Sequence, residues 1–204
     1  MKKYEFTGET KQVGFFGNIT LKRIRATMEF GIIKIGDLGG WIEKEENLSH
    51  KGNAWVYGNA KVCGDAKVYG NAKVYDNAEV CGDAKVYDNA EVYGNAEVYG
   101  NAKVYGNAKV YGNAKVYDNA EVFSISHVLV IGPIGSRNDF TTFFRDKDSE
   151  ITVKCGCFLG KIDKFLEKVC ETHGDSKYAI VYRTAAEIAK QQIDLSEENN
   201  YEIK

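Results

Sequence analysis

The chain has 204 residues, a net charge of −2 and 44% hydrophobic residues, enough for an extended solenoid and one further small domain. That balance, with a pI of about 6.0, lacks the basic footprint of a nucleic-acid-binding protein. No apolar run reaches membrane-spanning length and no lipidation motif or polybasic segment suggests an anchor; with five cysteines and no apolar leader, the expectation is a cytoplasmic protein with reduced thiols.

Residues 1–37 hold short apolar alternations, Tyr4-Glu5-Phe6 and Ile19-Thr20-Leu21, then Ile24 and Ile32-Ile33. They read as a β cap over the N-terminal end of the next segment, where uncovered backbone would otherwise pair with other chains. From Lys51 to Phe123 one six-residue word recurs, Ala-(Lys/Glu)-Val-Tyr-(Gly/Asp)-(Asn/Asp), with Val at every sixth position from Val56 to Val122. A fixed short period marks a solenoid, whose units bury apolar residues only by stacking on neighbours. The phase runs back, imperfectly, to Leu38-Gly39-Gly40-Trp41-Ile42-Glu43, with Leu38 and Ile42 in the Val and Ala slots and Lys44 and His50 breaking the Val slot. The solenoid is therefore expected over 38–126.

The aliphatic-x-x-x-small-x pattern, as in Val68-Tyr69-Gly70-Asn71-Ala72-Lys73, resembles the hexapeptide repeat of left-handed parallel β-helices. That resemblance implies triangular coils of eighteen residues, three hexads each, with Val inside and Gly, Asp or Asn at the corners. Val62-Cys63-Gly64-Asp65-Ala66-Lys67 returns eighteen residues later around Cys81, so Cys63 is expected to stack under Cys81 as a surface pair. The tyrosines then form ladders, one of Tyr57, Tyr75, Tyr93 and Tyr111 and another of Tyr69, Tyr87 and Tyr105. The first ladder is the expected homo-oligomer interface, because Tyr gives large amphipathic area at low entropic cost and the resemblance implies a trimer, the state of most natural helices of this kind.

Beyond Ser126 the composition changes. Residues 127–204 read as a small α+β domain: a strand at His127–Ile131, a hairpin joining Thr141–Phe144 to Ile151–Cys155, and two helices. The first helix places Ile162, Phe165, Leu166, Val169 and Cys170 on its apolar stripe and stops at Gly174. The second starts from Asp175 or Ser176 and is expected to bury Tyr178, Val181, Tyr182, Ala185, Ile188 and Ala189, with a frayed polar tail from Ser196.

Two stretches carry family resemblance. Gly36-Asp37-Leu38-Gly39-Gly40-Trp41-Ile42-Glu43, leading into Gly52-Asn53-Ala54-Trp55-Val56, is similar to uncharacterised bacterial and phage-encoded hexapeptide-repeat proteins, some called transferases on the strength of the fold. Ile134-Gly135-Ser136-Arg137-Asn138, Cys155-Gly156-Cys157-Phe158-Leu159-Gly160 and Glu171-Thr172-His173-Gly174 resemble a small domain common in phage open reading frames. Neither resemblance brings a catalytic residue or a cofactor.

Three chemistries can be weighed on the residues. Acyl transfer needs a positioned base, yet His50, His127 and His173 lie at or beyond the ends of the regular coils. Zinc has a four-ligand alternative in Cys155, Cys157, Cys170 and His173, against which stand the uncommon C-x-C spacing and a Cys170 on an apolar stripe. Anion binding has the loop Gly132–Asn138, where flexible backbone and donor side chains gather; Gly135, Ser136, Arg137 and Asn138 with Thr141 and Thr142 form the candidate site, and Tyr178 or Tyr182 covers an attached ring. The reading that follows is a non-enzymatic, oligomeric binding protein without a cofactor, sequestering a small anionic, nucleotide-like ligand such as a host defence signal. The alternatives are a spacer whose C-terminal domain binds a host protein, and an acyltransferase.

Overall fold

A computed structural model describes residues 2–14 and 16–196. The repeat folds as a parallel solenoid of about five turns. Its twelve two-residue strands, β4–β15, run from Trp55–Val56 to Glu121–Val122 at intervals of six residues. They stack into three sheets, β4-β7-β10-β13, β5-β8-β11-β14 and β6-β9-β12-β15. Within each sheet every strand pairs in register with the strand eighteen residues later, as Val56 with Val74 and Val62 with Val80. Every repeat Val is at most 1% exposed, and the repeat Ala residues are equally buried. Burying a Val is worth about 1.5–3 kcal/mol, and stacking with the next coil holds short strands that could not persist alone. Positive φ falls on the residue after Tyr or Cys in each hexad, mostly Gly but also Asp76, Asp88 and Asp118. At Gly82 a side chain would also strike the next coil, since a Cβ there would sit 3.0 Å from the Gly100 nitrogen.

The first turn departs from the expected phase. Strand β3 (Leu38–Ile42) pairs parallel with β5 so that Ile42 lies beside Val62, and Leu48 bridges Val68; both spacings are twenty residues. Ile42 and Leu48 therefore fill the Val slots, while Leu38 is 49% exposed. Two extra residues are absorbed in the corner between Leu48 and Ala54, which explains why Lys44 and His50 interrupt the Val register. Buried Asn47 holds this wider turn through Nδ2, which donates to Gly64 O at 3.0 Å and Ala66 O at 2.8 Å.

The cap is a hairpin of β1 (Tyr4–Val13) and β2 (Ile19–Ala26), continued antiparallel into β3. Trp55 takes a slot that holds Lys or Glu in the other hexads and is fully buried beneath Phe30 and Tyr4. Lys3 is buried as well: Nζ donates to Ala54 O at 2.7 Å and lies over the Phe30 ring, and burial lowers its pKa to about 8. Leu21 and Ile19 of the hairpin cover Cys63 and Cys81, which are bonded to each other and 7% exposed. The stack foreseen for them is present, but they are neither free thiols nor a surface pair, because the eighteen-residue register brings their Cα atoms to 4.6 Å beneath a covering strand.

The C-terminal unit is an antiparallel meander, β16 (Val128–Ile134), β17 (Asp139–Arg145), β18 (Ile151–Cys155) and β19 (Phe158–Lys161), followed by α1 (Ile162–His173) and α2 (Lys177–Gln192). Alternation along β17 points Phe143 into this unit's core and Phe144 into the core of the solenoid. The continuous apolar run of β16 divides likewise, Val128 and Val130 toward the solenoid, Leu129 and Ile131 toward the helices. One sheet thus closes the solenoid's last coil and carries two helices on its other face.

A buried polar knot fixes that junction. Lys147 N–H donates to Asn119 O at 3.0 Å, and Arg145 reaches Glu121 O and packs over the Phe123 ring. Asp146, 3% exposed, accepts from Thr152 Oγ1 and Lys161 Nζ, each at 2.6 Å, and from two backbone N–H groups. Burial alone would raise its pKa, but these donors outweigh it and hold the carboxyl below its ordinary value.

The helices bury part of the expected sets, Ile162, Phe165 and Val169 on α1 and Tyr182, Ala185 and Ala189 on α2. On α1 Ile162, Phe165 and Val169 are inside, whereas Cys170 is exposed. On α2 the buried set is Ala179, Tyr182, Ala185, Ala186 and Ala189, and Tyr178, Val181 and Ile188 face outward at 36%, 40% and 47% exposure. A stripe of alanines forms the packed face of α2, so the larger apolar side chains are left on its outer side.

Candidate functional site

A cavity of about 320 Å³ opens in the C-terminal unit between the loop after β16, the β18–β19 turn and the two helices. Ser136 and Arg137 line it from the loop, Cys155 from the end of β18, Cys157 from the turn, Lys168 and His173 from α1, and Tyr182 from α2. Phe158, Phe165 and Val169 supply its apolar wall.

Gly135 makes the arrangement possible. Its φ is +70°, and a Cβ there would stand 1.9 Å from the Tyr182 hydroxyl, so only glycine lets that phenol reach the loop. Tyr182 borders the same cavity as Ser136 and the Cys155 sulfur. Thr141 Oγ1 donates to the same sulfur at 3.3 Å. Burial, with the neighbouring Cys155, raises the Tyr182 pKa against the opposing effect of Ser136, so the phenol keeps its proton and remains a donor. Arg137 lies against Gly156, where an added Cβ would meet Nη1 at 2.7 Å, and Nη2 comes within 4.0 Å of Cys157 Sγ. Among the described residues Arg137 forms no ion pair with a carboxylate.

Of the residues expected to bind an anion, Ser136, Arg137 and Tyr182 line one cavity, and Gly135 and Thr141 shape it from behind. Asn138 is exposed with φ +50° and closes the turn by donating its amide to Gly135 O at 3.3 Å. Thr142 points the opposite way along β17, where its hydroxyl accepts from Lys115 N–H of the solenoid at 3.0 Å. Tyr178 stays outside, beneath Lys177. Sequence reasoning did not place Cys155, Lys168 or His173 in this set; the apolar stripe of α1 was legible, but not which polar neighbours on that helix would border a cavity. Cys155, Cys157, Cys170 and His173 do not assemble as metal ligands, and among the described residues no group of three His, Cys, Asp or Glu is placed to hold a metal ion.

The solenoid offers a different surface. Tyr75 and Tyr93 stack at 4.7 Å and Tyr93 and Tyr111 at 5.3 Å, while Tyr57 meets Tyr75 edge-on; Tyr69, Tyr87 and Tyr105 stack at 4.8 Å. A shallow hollow of about 710 Å³ follows Tyr57 and Tyr75 toward the exposed Ile32. Carboxylates along the coils are compensated from within: Glu79 pairs with Lys61 and accepts from Tyr99, and Glu91 lies between Lys73 and Lys109. Two histidines are structural. His50 Nδ1 accepts from Lys3 N–H at 3.1 Å and Nε2 faces Glu45 at 2.7 Å, and buried His127 accepts from Phe123 N–H.

Comparison with known proteins gives one partial likeness. Over 62 residues the chain is 34% identical to the uncharacterized acetyltransferase YdcK of Escherichia coli (strain K12), covering 28% of this chain and 19% of that protein. No family model matches the chain. The likeness agrees with a solenoid of the hexapeptide-repeat kind. No helix among the described residues is long and apolar enough to cross a membrane.

Proposed function

We propose that this protein is a non-enzymatic binding protein in which the solenoid is a rigid scaffold and the C-terminal cavity takes a small organic anion, nucleotide-like in having one acidic group and one flat apolar body. The observation that carries this reading is the convergence of Arg137, Lys168, His173 and Ser136 beside the apolar wall of Phe158, Phe165 and Val169. Arg137 supplies a planar donor that pairs with no carboxylate among the described residues, and guanidinium contacts to carboxylate or phosphate are among the stronger hydrogen bonds. At about 320 Å³ the cavity lies at the small end of ligand pockets, which suits a mononucleotide better than a dinucleotide. Acyl transfer has weaker support, since His50 and His127 are engaged in holding the two ends of the solenoid.

The same reading has the chain assemble through the row Tyr57, Tyr75, Tyr93 and Tyr111, as a trimer. Light scattering at micromolar concentration should give three times the monomer mass, and changing Tyr75, Tyr93 and Tyr111 together to Ser should release folded monomers; a monomeric wild type rejects the assembly. For the ligand, calorimetric titration with mononucleotides, cyclic dinucleotides and small aromatic carboxylates should find saturable binding in the first or last class, and silence from all three rejects the anion site. A second reading, a C-terminal unit that docks on another protein, is favoured by Ile180, Val181 and Ile188, exposed together on the outer side of α2.

A further inference from the structure

We infer that a cavity beneath the β1–β2 hairpin is a second binding site, separate from the C-terminal one, and that it takes a small neutral molecule with a flat apolar body and one oxygen acceptor. It opens where the repeat departs from its own word. Tyr follows the Val of most hexads, and Cys replaces it only at 63 and 81. Those two positions begin one row, Cys63, Cys81, Tyr99 and Tyr117, whose members follow Val residues paired from coil to coil. Two phenol rings are thus missing from that row, and the space they would take lies between the solenoid corner and the hairpin. Leu21 and Ile19 occupy part of it, and a cavity of about 430 Å³ remains, within the range of ligand pockets.

The walls of this cavity define the ligand. Val13, Ile19, Leu21 and the two sulfurs are apolar. Tyr99 adds a ring that no other ring covers on the hairpin side. Elsewhere an inner ring such as Tyr87 is stacked on both faces, by Tyr69 and Tyr105 at 4.8 Å, whereas Tyr99 meets Tyr117 edge-on and has Cys81 as its neighbour in the preceding coil. A flat apolar body covers Tyr99 as a second tyrosine would. Lys61 and Glu79 are the charged residues among the described lining, and they pair with each other, while Glu79 also accepts from the Tyr99 hydroxyl at 2.6 Å. An ion brought into this balanced set would have no counterpart, so the ligand is neutral. Among the described residues the Lys61 ammonium donates one hydrogen bond, to Glu79, of the three it can make, so the protein offers donors and the ligand brings the acceptor.

Naphthalene, 2-acetylnaphthalene and 2-naphthoate share one flat body and differ in acceptor and charge, so equilibrium dialysis of each against the full chain tests all three requirements. Arg137→Ala is dialysed beside wild type to set the C-terminal cavity apart. 2-Acetylnaphthalene should bind saturably to both proteins, at least about fivefold tighter than naphthalene, and in Arg137→Ala at least about fivefold tighter than 2-naphthoate. Lys61→Met should remove the ketone's advantage over naphthalene. Tyr99→Leu should weaken both neutral probes about fivefold, and Tyr87→Leu should weaken neither. Cys81→Tyr, which restores the repeat's word and fills the cavity, should abolish binding of both neutral probes while the β signal in circular dichroism persists; if that variant does not fold, Lys61→Met and Tyr99→Leu decide. The inference is overturned if neither neutral probe binds saturably, if Lys61→Met and Tyr99→Leu bind the ketone as wild type does, or if 2-naphthoate matches the ketone in Arg137→Ala. Loss of ketone binding in Arg137→Ala also overturns it and assigns the ketone to the C-terminal cavity.

Discussion

The solenoid and the C-terminal unit solve opposite problems with the same kinds of residue. Along the coils many polar side chains meet a copy of themselves or their complement one turn away, as in the amide ladder Asn59, Asn77, Asn95, Asn113 and the pairs Lys61–Glu79 and Lys115–Glu97. Repetition satisfies these groups internally and leaves little for a ligand. In the C-terminal unit no position repeats, and loop, strand end, turn and helices bring Arg137, Ser136, Tyr182 and Cys155 together, with a guanidinium that forms no ion pair among the described residues. In the proposed function the regular array is a support, and binding chemistry collects where the period ends.

The sharpest way to break the comparison is to damage the period itself. Val92→Asp places a charge in a core of Val and Ala with no partner, and should cost more than about 4 kcal/mol and unfold the coils, read as loss of the cooperative β transition by circular dichroism. A smaller loss, about 1–3 kcal/mol, is expected for Gly82→Ala, which combines φ +75° with backbone of the next coil 3.0 Å from the new Cβ. Gly112→Ala is the matched control: φ is +66° but the space is open, so it should cost less. Neither glycine change should alter binding in the C-terminal cavity.

Two pH dependences separate the ends of the molecule. Asp146 has a folded pKa below that of the unfolded carboxyl, so its stabilisation is present above the unfolded value and is lost as pH falls through the folded one. Denaturant unfolding should show the junction weakening in acid, and Asp146→Asn should flatten that dependence. Lys3 is charged up to about 10.5 in the unfolded chain but only to about 8 when buried, so between these values the unfolded state binds more protons and stability rises with pH. Lys3→Met should abolish that rise, which is the smaller effect because only the cap is involved.

Legibility followed the same division. The solenoid's inner face could be read residue by residue because Val recurs every six positions, and the stacking of Cys63 on Cys81 followed from matching words eighteen residues apart. The first turn misled because phase was extrapolated through a two-residue insertion, which moved the Val slots to Ile42 and Leu48. The cover over the cysteines depends on where the hairpin lies, and no local pattern encodes that. On α2 Tyr182, Ala185 and Ala189 were legible as core, whereas Tyr178, Val181 and Ile188 lie outside and Ala179 and Ala186 pack instead. The loop Gly135–Arg137 announced its donors, but the meeting of Tyr182 with Cys155 depends on a helix docking across the sheet.

Whether binding resides at Arg137 and not on the repeat is decided by calorimetric titration of adenosine monophosphate into wild type, Arg137→Ala and Lys85→Ala. A charge-assisted contact is worth about 1.5–3 kcal/mol, so Arg137→Ala should weaken binding about tenfold or more with a nearly unchanged melting temperature, and Lys85→Ala should bind as wild type. Equal affinity for all three proteins, or weakening by Lys85→Ala alone, would contradict binding at Arg137.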